Sequence, residues 1–114
     1  MHSKLLILLA VIGGSLWVAP TSAQLVAPAA VKANNCVACH QIDHKRVGPA
    51  FQQIADRFAG APGAASYLAS AIRTGSRGNW GSVPMPAQRQ VSEEQAQAIA
   101  EWILTLSDNK DDTK

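Results

Sequence analysis

The chain has 114 residues, with ten Lys or Arg against eight Asp or Glu and a formal net charge of +2 when histidine is neutral. This length allows one small domain, and the nearly even charge excludes the strong basic excess of a nucleic-acid-binding protein. Six of the eight acidic residues follow residue 92. We therefore expect a charge asymmetry that orients a docking partner, and no nucleic acid among the partners.

The first 23 residues have the pattern of an export signal. Lys4 precedes the apolar run 5–12, and a less hydrophobic segment then ends at the small residue Ala23. A retained membrane anchor is the alternative. Crossing the hydrocarbon takes roughly 20 apolar residues, and residues 5–18 offer only about fourteen, interrupted by Gly13 and Gly14. We predict a cleaved signal peptide over residues 1–23, a mature domain over 24–114 and no stable membrane insertion after cleavage.

Four helical segments and no strand are predicted in the mature chain. A helix is expected over residues 28–34, where Pro28 suits a first helical position. Two more are expected over 49–58 and 64–73, where apolar side chains recur every three or four positions. A fourth begins after Ser92, which forms a capping box with Gln95. The pattern predicts an all-α domain.

A long segment without predicted secondary structure, residues 75–91, separates the third and fourth helices. It is rich in Gly and Pro. So long a structureless stretch is unusual in a small domain unless it is functional or packs on something. We therefore expect this loop, called the long loop below, to contribute to a functional site.

The two cysteines of the chain, Cys36 and Cys39, directly precede His40 in the order Cys-Val-Ala-Cys-His. A structural disulfide would close a tiny loop and stabilise little. A thioredoxin-like redox pair needs a preceding strand, and a zinc site needs two further ligands, where only His44 remains as another Cys or His. Covalent haem attachment uses every residue of the motif, because each thiol adds to a porphyrin vinyl group and the histidine lies beneath the iron. We predict one covalent haem c on Cys36 and Cys39, with His40 as an axial iron ligand.

Met85 is the candidate for the second axial ligand. It is the only methionine left after removal of the signal, and it stands between Pro84 and Pro86 in the long loop. Core filling is the common role of a lone methionine, but flanking prolines stiffen the backbone and suit holding a thioether in place. His44 lies only four residues from His40 and cannot easily reach the other face of the ring.

Several motifs, in order and spacing, resemble those of the small bacterial class I cytochromes c, and among them the cytochrome c-551 (cytochrome c8) group. They cover essentially the whole mature chain: Cys36-Val37-Ala38-Cys39-His40, Val47-Gly48-Pro49-Ala50, Phe58-Ala59-Gly60, Trp80-Gly81 and Pro84-Met85-Pro86. The resemblance implies the class I cytochrome c fold, about four short helices wrapped around one covalently attached haem. It also implies that the Pro49 carbonyl accepts from the haem histidine and that Trp80 donates to a haem propionate.

The chain departs from this family at three positions near the expected site. Asn35 replaces a glycine before the first cysteine, and asparagine tolerates the left-handed backbone. Ala71 replaces an arginine near a propionate, so that contact is absent. Gln88 replaces an asparagine that hydrogen-bonds the ligand sulfur. Its longer side chain either substitutes for that bond or loses it.

With His40 and Met85 both bound, the iron has no vacant position, so it can pass an electron but cannot readily bind a substrate. We predict a one-electron carrier and no enzyme. The resemblance implies a periplasmic monomer that shuttles electrons from a membrane cytochrome bc-type complex to a soluble acceptor, a nitrite reductase of denitrification or a peroxidase. The alternative is a haem-based ligand sensor or small haem peroxidase with a displaceable Met85.

Overall fold

In the part of the chain that the structure describes, four α-helices and one short 3-10 turn form the domain. A computed structural model describes residues 13–19 and 22–108, with side chains over 13–19 and 27–107. Its elements in chain order are α1 (Ser22–Ala33), the 3-10 turn (Cys36–Ala38), α2 (Phe51–Phe58), α3 (Ala64–Thr74) and α4 (Glu93–Asp108). Within these described ranges the extended pairing consists of two isolated bridges, His40 with Lys45 and Ser76 with Met85. The all-α prediction is confirmed.

The predicted signal peptide falls largely on residues 1–12, 20 and 21, which lie outside the described residues, and it stays a prediction. Residues 13–19 form exposed chain without regular secondary structure. In the part of the chain that the structure describes, no helix is both long and apolar enough to cross a membrane.

The first helix begins earlier than its sequence predicts. It starts at Ser22 and contains Pro28 in its interior, whereas the prediction placed Pro28 at the first position. A proline inside a helix removes one backbone hydrogen bond, and no other Pro or Gly lies between Ser22 and Ala33. The helix therefore continues through this single interruption. The predicted cleavage after Ala23 lies in its first turn.

The second and third helices agree with their predicted segments, with small differences at the ends. α2 begins two residues later than predicted, at Phe51, and the Gln53 side chain caps its start by accepting from the Ala50 N–H at 3.0 Å. α3 ends at Thr74 because Gly75 adopts a φ of +81°, which a helix does not allow.

The last helix packs against each of the other three. Its start is the predicted capping box: the Gln95 N–H donates to Ser92 Oγ at 3.1 Å, and the Ser92 N–H donates to Gln95 Oε1 at 3.3 Å. Ile99 lies at the centre of the core with 1% of its surface exposed, and burying such a side chain stabilises the fold by about 1.5–3 kcal/mol. α4 therefore supports the other elements that surround the functional site.

Candidate functional site

A single cleft brings together all of the predicted site residues. Its walls come from the 3-10 turn and the segment after it, from α2, α3 and α4, and from the long loop. Most of the lining is apolar, and no Asp or Glu among the described residues lines it. The six predicted residues all contribute to its surface: Cys36, Cys39, His40, Pro49, Trp80 and Met85.

The two cysteines are held one turn apart by the 3-10 turn. The N–H groups of Cys39 and His40 both donate to the Cys36 carbonyl, at 3.1 and 3.0 Å. The two thiols are not joined in a disulfide. Burial raises the pKa of the Cys36 thiol. The turn thus presents two thiols and the His40 ring to the same cleft.

Asn35 precedes this turn in the left-handed conformation, with φ 59° and ψ 29°. It is the one non-glycine residue of the described chain with a positive φ. The side chain makes no capping hydrogen bond, so asparagine is present for its backbone conformation. The expectation that the turn survives without glycine is confirmed.

Replacing Asn35 tests this role. We expect Asn35→Ala to lower the free energy of unfolding by about 1–2 kcal/mol, because a Cβ-bearing residue without a short polar side chain is penalised in this conformation. Asn35→Gly is the matched control, since glycine adopts a positive φ without strain. Denaturant titration of the haem-loaded protein measures both. Equal losses in the two variants would contradict a conformational role for Asn35.

The His40 ring is fixed on three sides. Its Nδ1–H donates to the Pro49 carbonyl at 2.8 Å. Its face stacks on Phe51, with ring centroids 5.2 Å apart. Gly48 lies so close that a Cβ there would come within 2.6 Å of the ring. Because a carbonyl can only accept, Nδ1 carries the proton and Nε2 keeps its lone pair, the form of histidine that binds a metal.

The segment between His40 and α2 is tied back to the cysteine motif by its backbone. The Gly48 N–H donates to the Cys39 carbonyl at 2.8 Å, and the Phe51 N–H donates to the Gln41 carbonyl at 2.8 Å. These bonds set Gly48 and Pro49 against the histidine. The sequence motif around Gly48 pointed to this segment, but the contact of its backbone with the His40 ring depends on the fold.

Met85 is held by the backbone of the long loop. Met85 and Ser76 exchange two hydrogen bonds, of 2.8 and 3.0 Å, and the Gln88 N–H donates to the Ile72 carbonyl at 2.8 Å. Gly75 permits this close approach, since a Cβ there would lie 2.8 Å from the Met85 carbonyl oxygen. The thioether is half-buried at the cleft. These backbone hydrogen bonds therefore anchor the loop at Met85 and three residues after it.

His44 lies outside the cleft, exposed on the segment after His40. Its Nδ1 is 2.7 Å from Asp43 Oδ1, and this hydrogen bond lowers the pKa of the Asp43 carboxyl. Among the described residues, no group of three or more His, Cys, Asp or Glu side chains could hold a metal ion, so the zinc alternative finds no site there.

The Gln88 side chain makes its hydrogen bonds within the long loop. Its side-chain N–H donates to the Pro86 carbonyl at 3.0 Å, and its oxygen accepts from Gln90 at 3.0 Å. The longer side chain turns back on its own loop. In this conformation the two hydrogen bonds of the Gln88 amide go to Pro86 and Gln90.

Trp80 lines another part of the cleft and is half-buried. The guanidinium of Arg57 lies over its ring, 4.6 Å from the centroid. No sequence pattern predicted this pair, because 23 positions separate two residues that only the fold brings together. Ala71 also lines the cleft, and its small side chain supplies no charge there.

The donor set of this cleft fits an iron porphyrin. Two thiols, an imidazole nitrogen with a free lone pair and a thioether meet in a mostly apolar space, and histidine with methionine is a ligand pair of haem iron in electron carriers. The fold and the site together define a small helical haem protein of the cytochrome type.

Comparisons with known proteins identify the same class of protein. The sequence profile of the family called cytochrome c matches residues 27–107. The chain is 53% identical over 75 residues to cytochrome c-552 of Nitrosomonas europaea, covering 66% of this chain and 73% of that protein. It is 46% identical over 103 residues to cytochrome c-551 of Stutzerimonas stutzeri, covering 90% of this chain and 97% of that protein.

A solved structure gives the same answer. The crystal structure of wild-type Nitrosomonas europaea cytochrome c552 matches with a TM-score of 0.68 and 51% identity, over 69% of this chain and 98% of that one. This chain therefore belongs to the cytochrome c family. Its cofactor is covalently bound haem c with iron, and it is a small monohaem electron carrier with the class I cytochrome c fold.

Proposed function

We propose that this chain holds haem iron between His40 Nε2 and Met85 Sδ, with thioether bonds from Cys36 and Cys39, and that it carries single electrons between respiratory proteins. One observation carries the proposal: the anchored His40 ring and the loop-held Met85 thioether line one cleft with both thiols. When bound, the haem supplies a reversible one-electron couple of its iron.

The protein's own groups account for the remaining requirements of a carrier. Pro49 fixes the tautomer and the orientation of His40 through a 2.8 Å hydrogen bond, which keeps Nε2 available as a ligand. A neutral thioether opposite a histidine favours the reduced iron and raises the potential. The apolar lining excludes water. These groups need not move between oxidation states, which favours rapid electron transfer.

The rim of the cleft supports transient docking of redox partners. Val47 and Val83 line it with exposed fractions of 52% and 61%. Val37, 45% exposed, lies next to it on the 3-10 turn between the two cysteines. Exposed apolar side chains grouped at a site are typical of interaction surfaces. We propose a membrane cytochrome bc-type complex as the electron donor and a soluble nitrite reductase or peroxidase as the acceptor, with the carrier acting as a monomer.

The N-terminal segment supports export to the periplasm. Residues 1–23 have the charge and hydropathy pattern of a signal peptide. The match to the Stutzerimonas stutzeri protein spans 103 residues, more than residues 22–114 can supply, so it reaches into this segment. We propose cleavage after Ala23, a mature domain over 24–114 and a role in periplasmic respiration such as denitrification.

Carbon monoxide distinguishes this function from a sensor or a peroxidase. An iron with both axial positions bound has none open to the gas, so we expect the spectrum of the reduced, haem-loaded protein to stay unchanged for minutes after mixing. A ligand sensor or small peroxidase, with Met85 displaceable, would bind it at once. Rapid binding by the native protein would overturn the carrier function.

A further inference from the structure

Arg57, near the end of α2, contacts two consecutive residues of the long loop. Its guanidinium lies over the Trp80 ring at 4.6 Å from the centroid, and its Nη1–H donates to the Asn79 carbonyl. Trp80 and Asn79 both line the cleft, whereas Arg57 is exposed and lies outside the lining. One side chain of α2 thus contacts two residues of the cleft wall from the side that faces away from the cleft.

The same contact network continues to α3. The Asn79 side-chain N–H donates to the Tyr67 hydroxyl at 2.9 Å, and the Tyr67 ring packs on Phe58 with centroids 5.3 Å apart. Asn79 is therefore held from both sides, by Arg57 through its carbonyl and by Tyr67 through its side chain. The loop at Trp80 is fixed to two helices.

This part of the cleft is rich in N–H donors. Arg77, Asn79 and Trp80 line it together, and no described Asp or Glu side chain competes for them. An indole can only donate, and no acceptor among the described residues takes the Trp80 N–H, whose ring contact is with Arg57. Carboxylates are the charged groups of a haem, and ionised acceptors form the strongest hydrogen bonds with such donors.

We propose that Arg57 is a positioning residue for the haem carboxylates, acting through Trp80 and Asn79. The inference rests on the proposed function, since it concerns the same cleft. The planar guanidinium stacks on the indole while its N–H groups bond the neighbouring carbonyl, a combination that the point charge of lysine cannot reproduce in full. Arg57 also adds a positive charge where Ala71 supplies none.

Hydrogen exchange of the indole N–H tests the proposal in the reduced, haem-loaded protein. Trp80 and Trp102 are the two tryptophans of the domain after α1 begins. Trp102 packs edge-on against Phe51, with centroids 5.4 Å apart, and serves as the internal reference. In Arg57→Gln we expect the Trp80 N–H to exchange about ten-fold faster or more, with Trp102 nearly unchanged, because only the local restraint is lost.

Three further measurements separate positioning from general effects. Arg89→Gln removes the same charge from an exposed residue outside the cleft lining, so Trp80 exchange should stay at its native rate. Arg57→Lys should restore part of the protection. The midpoint potential should fall further in Arg57→Gln than in Arg89→Gln. In Arg57→Gln the lost positive charge and the loosened donors both disfavour the reduced state. In Arg89→Gln only a charge that solvent screens is lost.

Equal acceleration of Trp80 and Trp102 would mean general loosening and would overturn the positioning role. So would an unchanged Trp80 rate in Arg57→Gln, or the same shift of potential in both glutamine variants. The proposed function is judged separately, since its failure would appear in the native protein as rapid binding of carbon monoxide, whatever the exchange rates in the variants.

Discussion

Met85→Ala should convert this closed electron carrier into a protein that binds carbon monoxide within the mixing time. The alanine side chain cannot reach the iron, and no other side chain of the long loop that lines the cleft is a thioether or an imidazole. We expect the midpoint potential to fall by on the order of 0.1 V or more, a modest part of the ~0.8 V over which axial ligands set haem potentials. Optical titration measures both effects.

Val83→Ala is the matched control for this substitution. Val83 stands two residues away in the same loop, lines the cleft and has 61% of its surface exposed. Its truncation should leave carbon monoxide binding absent and the potential close to the native value. If Met85→Ala kept the native midpoint potential and did not bind carbon monoxide, Met85 would not be the ligand.

Gly48→Ala should disturb the other axial position without removing its ligand. A Cβ at Gly48 would lie 2.6 Å from Cε1 and 2.9 Å from Nδ1 of the His40 ring. Either the ring or the backbone must move, and overpacking of this kind typically costs about 1–3 kcal/mol. Movement of the ring also strains its 2.8 Å hydrogen bond to Pro49. We expect a lower free energy of unfolding and shifted NMR signals of the His40 ring.

Gly60→Ala separates crowding from backbone strain. Gly60 has a φ of +71°, and a Cβ there would meet nothing within 4 Å. Its replacement should cost about 1–2 kcal/mol through strain alone and leave the His40 signals unchanged. Native His40 signals in Gly48→Ala would show that the contact with Gly48 does not set the ring position.

Local patterns of sequence predicted most of the secondary structure because each depends on neighbours in the chain. The capping box needs only Ser92 and Gln95, three positions apart, and both of its hydrogen bonds form. The left-handed turn at Asn35 likewise follows from the properties of one residue. The predicted start of α1 was wrong, because the residues before Pro28 are compatible with a helix and the helix continues through the proline.

Contacts between distant segments could not be predicted in this way. Gly75 and Met85 are ten positions apart, and only the folded loop brings the glycine against the Met85 carbonyl. The hydrogen bonds of Gln88 depend on how the loop turns, and its side chain meets Pro86 and Gln90. The motifs therefore identified the candidate ligands, while the groups that hold those ligands in place became evident from the structure.

The most direct test of the central claim, that His40 and Met85 both bind the iron, is the far-red absorption spectrum of the purified, oxidised native protein. Methionine bound to ferric haem gives a weak charge-transfer band in this region. We predict that the band is present in the native protein and absent from Met85→Ala. A native spectrum without it would contradict methionine ligation and, with it, the closed site on which the carrier function depends.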